Sequence, residues 1–197
     1  KDTKYSGGKY VVLYAQWNAH YNVCFHSNID GKDVTKTQTG FVYMTNKALD
    51  ANTFAAPGEG FEFVGWSTSS GIQNVTYKDK QSVNNLTNEG GATVHLYAQW
   101  RHYHDKGKET QVEFYPWYSP SSLPTSGNYA LVYDITTTND MTVASGATLN
   151  LCLLGKKVHS GQINVTGTFN LYDCKNTGEI KHPEPEVTEA NTLSISG

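Results

Sequence analysis

Gly91-Ala92-Thr93-Val94-His95-Leu96-Tyr97-Ala98-Gln99-Trp100 decides how this chain is read, because Gly8-Lys9-Tyr10-Val11-Val12-Leu13-Tyr14-Ala15-Gln16-Trp17 matches it at seven of ten positions. Tyr97 follows Tyr14 by 83 residues, an offset too long for short solenoid repeats and suited to a small domain used in tandem. Val, Leu and Ala share one parity of the run and Tyr and Gln the other, which is the period of a half-buried strand. The closing Trp is large enough to cap a small core. Residues 1–17 are accordingly expected to be the last strand of a preceding unit.

Working outward, strand signals are short and separated by turn chemistry. Tyr21, Val23 and Phe25 alternate onto one face, which turns Cys24 away from the core, and Asn28-Ile29-Asp30-Gly31 supplies a turn. Pro57-Gly58 and Gly60 lead into Phe61-Glu62-Phe63-Val64-Gly65-Trp66, where Phe61, Phe63 and Gly65 are expected on one face. Val75-Thr76-Tyr77 and Ser82-Val83 read as two further short strands. Residues 46–56 are the one stretch with a weak helical pattern, and they suit a turn or an extended arm nearly as well.

Four motifs now stand in order: Asn52-Thr53-Phe54, Gly60-Phe61-Glu62-Phe63-Val64-Gly65-Trp66, Val83-Asn84-Asn85-Leu86-Thr87 and Leu96-Tyr97-Ala98-Gln99-Trp100. In this order and spacing they resemble the Listeria–Bacteroides repeat, the module also known from the B repeat of internalins. The resemblance covers residues 18–100. It implies a small β-grasp-like fold, found in tandem on secreted and wall-attached bacterial proteins as a stalk or adhesive module. One departure is visible: the family's first strand usually runs into an Asn-Gly-Gly turn, whereas here the turn is Asn28-Ile29-Asp30-Gly31.

Beyond Trp100 the composition changes. The polar run 101–108 and the Pro/Ser/Gly-rich run 119–127 mark residues 101–128 as a linker. Short apolar strands then recur, and setting Leu149-Asn150-Leu151 against Phe169-Asn170-Leu171 gives an offset of 20 residues, about one coil of a parallel β-helix. Val143, Leu149, Leu151 and Leu153 would stack over Val165, Phe169 and Leu171 in one apolar column. Residues 129–197 are therefore expected to be the first coils of a β-solenoid, and residues 125–180 resemble the opening of right-handed β-helix regions in large exported bacterial proteins. The fold class expected is mainly β, a small β-grasp-like repeat domain followed by a short right-handed parallel β-solenoid.

The 197 residues leave room for two small units, and a net charge of −3 with 17% charged residues provides no basic footprint for nucleic acid. No stretch nears the roughly 20 apolar residues that span a bilayer, and no membrane insertion is expected in this segment. Lys1 opens a polar segment rather than a signal peptide, and the Thr192–Gly197 end looks like the start of another strand, so the chain reads as a section of something longer. Its three cysteines are too few for a disulfide scaffold.

Candidate sites are sparse. His102 and His104, two apart on a strand, would share a face as metal ligands, but no motif places a third ligand beside them, and they are read as part of a solvated linker with no metal or cofactor. Cys152 and Cys174 share the outward parity of neighbouring coils; a cross-coil disulfide is possible and two thiols are the default. Tyr115, Trp117 and Tyr118, in the aromatic run Phe114-Tyr115-Pro116-Trp117-Tyr118, form the candidate ligand-binding platform, against the plainer reading of a cap or glue between domains. Trp17, Trp66 and Trp100 are read as core caps. Asp134, Asp140, Asp173 and Glu179 bring to mind β-helix polysaccharide enzymes, yet no converging catalytic set or known catalytic motif is present, so no catalytic residue is expected. The expected role is a structural and adhesive stalk segment of a secreted or wall-attached bacterial surface protein, whose partners are neighbouring repeats and a host surface protein or glycan. The alternatives are a host-ligand-binding module for mucin, matrix protein or immunoglobulin, and the non-catalytic front of a β-helix carbohydrate-active enzyme.

Overall fold

Alternating apolar residues separated by Gly, Asn and Asp turns produce strands throughout, and the described residues contain no helix. The structure is a computed structural model and describes residues 3–4, 10–11 and 18–181. Its strands begin with β1 (Thr3–Lys4), β2 (Tyr10–Val11), β3 (His20–His26), β4 (Thr35–Val42), β5 (Lys47–Ala48), β6 (Glu62–Ser67), β7 (Ser82–Val83) and β8 (Thr93–His104). They continue with β9 (Val112–Trp117), β10 (Gly127–Leu131), β11 (Ile135–Thr136), β12 (Met141–Val143), β13 (Thr148–Cys152) and β14 (Lys157–His159). The last three are β15 (Ile163–Val165), β16 (Thr168–Tyr172) and β17 (Glu179–Lys181). The run Tyr14–Trp17, within the first copy of the repeat motif, and the stretch 192–197 expected to start another strand lie outside the described residues.

In the first half β3 pairs antiparallel with β4 and parallel with β8, while β6 pairs antiparallel with β8. The alternation of β3 works as its sequence dictates: Tyr21, Val23 and Phe25 are buried and Cys24 between them is partly exposed. They join Phe41, Leu49, Trp66, Val83, Leu96, Ala98 and Trp100 in one core. Two expectations change here. Residues 46–56 are extended rather than helical, because β5 pairs with β7 and Leu49 is drawn into the core. The expected common face of Phe61, Phe63 and Gly65 is broken by a register shift between Phe63 and Gly65, so Phe63 packs on the first core while Phe61 belongs to another.

The second half is a set of parallel pairings. β10, β13 and β16 form one ladder, β11, β14 and β17 a second, and β12 and β15 a third. Leu149 stands opposite Phe169 and Leu151 opposite Leu171, the register that the 20-residue offset called for. Leu131, Ile135, Met141, Val143, Leu149, Leu151, Leu153 and Val158 form one core with these ladders. Polar groups lock the same registers: Asn150 donates to Asn128 at 2.7 Å and Asn170 donates to Asn150 at 2.8 Å. Asp134 accepts from the Lys157 N–H and Asp140 from the Gln162 N–H.

The stretch expected to be a linker holds most of the junction. β8 runs on through His104, β9 pairs with it antiparallel, and β9 pairs parallel with β10, so one open sheet passes from β4 through β8 to β16. Polarity misled the expectation, since Arg101 and His102 are buried with partners rather than solvated. Arg101 donates to Glu113, to the Trp100 and Gln73 carbonyls, and lies 4.3 Å over the Tyr115 ring. Phe61 from the first half packs with Phe114, Ala130, Val132, Cys152 and Leu154 as a third core between the halves. No helix among the described residues is long and apolar enough to cross a membrane.

Candidate functional site

Strand alternation gives Tyr118 the opposite parity from Tyr115 and Trp117, and the last two meet different neighbours along their shared face. Tyr115 lies under the Arg101 guanidinium. Trp117 packs on the second core and donates its Nε1–H to the Ser122 carbonyl at 2.7 Å. Tyr118 points with Phe114 to the junction core, and its buried hydroxyl has no hydrogen-bond partner. Burial raises the Tyr118 pKa above its ordinary value, with Tyr133 and Asp30 adding to the effect. The three rings therefore do not make a single flat platform.

Tyr118 also lines a cleft of about 560 Å³, together with Ile29, Ile72, Tyr97, Arg101 and Pro116. The cleft belongs to the range of small-ligand sites by size. Its floor is the repeat motif itself. Gln99 is buried and donates to Ser67 Oγ and the Gly71 carbonyl while accepting from the Gln73 N–H, which pins the 67–73 loop. Trp100 donates to the Ser27 carbonyl at 2.8 Å, and Asn28 bonds Gly71 in both directions. The Gln-Trp pair is thus structural on its inner side and shapes the cleft on its outer side.

A second site lies across the junction, built from residues far apart in the chain. His102 on β8 is 6% exposed, and its Nδ1 is 2.9 Å from the Gly60 carbonyl. A carbonyl only accepts, so the ring proton sits on Nδ1 and the Nε2 lone pair is free. That lone pair lies 3.3 Å from Cys174 Sγ and 3.6 Å from Cys152 Sγ. His104, one strand period further along β8, places Nδ1 3.2 Å from the same Cys174 sulfur. The two sulfurs are 3.6 Å apart, a contact between two free thiols and not a disulfide. Cys152 faces outward from the second core, as its parity required, but the first half covers it and buries it completely.

Burial dominates the electrostatics of this cluster. It holds the His102 pKa below its ordinary value, opposed by the Gly60 carbonyl and assisted by His104. It pushes the Cys152 thiol up to about 12 and raises that of Cys174 as well. At neutral pH the side chains are a neutral imidazole and protonated thiols, which are poor nucleophiles. A different group, Cys24, His26 and His95, also gathers on the first half, but Asp33 and His95 engage both ring nitrogens of His26, at 2.6 and 2.8 Å.

The signal that would have joined His102, His104, Cys152 and Cys174 is present in the sequence. A His-x-His on a strand supplies two ligands on one face, and two cysteines 22 residues apart supply two more. What the sequence does not show is that β9 folds the second half back against β8. Asp134, Asp140 and Asp173, by contrast, are taken up by backbone N–H groups, and Glu179 by Lys181. No protein-family model, curated protein or solved structure matches this chain.

Proposed function

We propose that this chain is a structural, adhesive stalk segment of a secreted or wall-attached bacterial surface protein. Its first half is a β-grasp-like repeat of the Listeria–Bacteroides type, and its second half is the opening of a right-handed β-solenoid. The observation that carries the reading is the unbroken hydrogen-bonded path from β4 through β8 and β9 to β16. Such a path passes tension along a sheet without a flexible hinge, which is what a stalk requires. The edge of the second half supports it further: Phe169 and Leu171 are partly exposed, whereas Leu149 and Leu151 beneath them are fully buried, the pattern of a stack built by adding circuits. Asp134, Asp140 and Asp173 serve backbone donors, which favours scaffold over catalyst. Antibody labelling of intact cells of the source organism tests the location. The stalk reading expects labelling without permeabilisation; signal only after permeabilisation would sink it.

A host-ligand-binding role for mucin, matrix protein, immunoglobulin or glycan is a second reading, favoured by the cleft beside Tyr118 and the 41% exposed Ile72. Ile72→Asp and Ile29→Asp are the variants that test it, since Trp117 and Tyr118 pack on cores and their truncation would report packing. Retained binding in both variants would remove the cleft from consideration.

A further inference from the structure

We propose that His102, His104, Cys152 and Cys174 form a tetrahedral site for a zinc-type divalent cation that ties β8 to the end of β13 and to the segment after β16. Two thiolates and two imidazoles are the donor set of closed structural zinc sites. Zn–S bonds of about 2.3 Å and Zn–N bonds of about 2.0–2.1 Å imply tetrahedron edges of about 3.8 Å between sulfurs and about 3.6 Å between sulfur and nitrogen. The S···S distance here is 3.6 Å and the S···N distances are 3.2, 3.3 and 3.6 Å, so four edges are already near their final lengths. His102, Cys152 and Cys174 are gathered within 4.8 Å of one another, and His104 completes the set by turning its partly exposed ring.

The surroundings match as well. His102 gives its Nδ1–H to the Gly60 carbonyl, the outer hydrogen bond that fixes a ligating imidazole, and Asp105 stands 3.8 Å from the far nitrogen of His104. His102 Nε2 and His104 Nδ1 both converge on the Cys174 sulfur, at 3.3 and 3.2 Å. On binding, each sulfur releases its proton to solvent as its metal bond forms, and the cation with two thiolates is neutral, which suits a largely buried position. The Cys24, His26 and His95 group lacks this readiness, because Asp33 and His95 already occupy both nitrogens of His26. The ligands come from chain positions 50 to 72 residues apart, so the metal closes long loops and clamps the two halves together.

The test uses the whole chain, reduced, with Co²⁺ as the probe and Zn²⁺ as competitor. One Co²⁺ per chain should produce thiolate-to-cobalt charge-transfer absorption with the strong visible bands of tetrahedral cobalt, and Zn²⁺ should erase them. Zn²⁺ at about a hundredfold excess over its Kd should raise the melting temperature by about 5–10 °C. Cys174→Ser, at an exposed position where folding is spared, should abolish both effects; Cys152→Ser and His102→Ala should do the same to the spectrum, while Cys24→Ser should leave it intact. Absence of charge-transfer bands in the reduced protein, or bands that survive Cys174→Ser or vanish in Cys24→Ser, would overturn the proposal. So would isolation of the natural protein with Cys152 and Cys174 joined as a disulfide.

Discussion

Gln99 carries a primary amide into a space where only 1% of its surface meets solvent, and it does so because the 67–73 loop offers a donor and two acceptors there. Gln99→Leu keeps the volume but takes the acceptor from the Gln73 N–H, at about 1–3 kcal/mol, while the Gly71 carbonyl keeps its bond from Asn28. Urea denaturation should show that loss directly. Gly65 occupies φ +146° beside the bulge, and a Cβ there would stand 2.4 Å from Val75 Cγ1 and 2.7 Å from the Tyr77 carbonyl oxygen. Gly65→Ala is expected to lower stability by about 2 kcal/mol or more in the same measurement. Asp33 sets a pH dependence. Burial alone would raise its pKa, but hydrogen bonds from His26, the Asn28 N–H and Ser27, with the charge of His26, outweigh it and hold the carboxyl below its ordinary value. The folded state therefore favours the carboxylate. Its contribution is complete above the ordinary carboxylate pKa near about 4 and is lost as pH falls through the lower folded value. Asp33→Asn should flatten the acid limb of the urea midpoint plotted against pH.

At the scale of elements, the second half depends on neighbouring parallel strands packing their side chains against one another. Leu151 is fully buried between Tyr129 and Leu171 in register, so Leu151→Ala leaves a cavity that no local shift of a hydrogen-bonded ladder can close. A loss of about 2–5 kcal/mol is expected by calorimetry. This register is legible in the sequence, because Leu-x-Leu strands with Gly-bearing corners recur at a fixed spacing. The short strands of the first half are legible in part. Alternation at Tyr21, Val23 and Phe25 is sufficient, whereas the bulge at Gly65 and the extended run 46–56 depend on tertiary pairing with β8 and β7.

For the whole molecule, the junction decides whether the halves behave as one body. Arg101 is 4% exposed and holds Glu113, Gln73 and the Tyr115 ring at once, so it bonds the first half to β9. Wild-type protein should unfold in one calorimetric transition. Arg101→Ala should cost about 1–3 kcal/mol and split that transition in two, as β8 and β9 lose their shared anchor. A single transition of unchanged width in the variant would mean that the junction core around Phe61 and Phe114 suffices alone.

Periodicity along the chain determined the strands, the repeat motif at 91–100 and the stacking register of the second half, because alternation and fixed spacing are local or translational and survive in one dimension. The junction was decided only in three dimensions. His102 and Cys174 are 72 residues apart, and their meeting depends on β9 reversing direction against β8 while pairing parallel with β10. No one-dimensional pattern encodes that reversal, since polar residues such as Arg101 and His102 look the same in sequence whether water or a folded partner satisfies them.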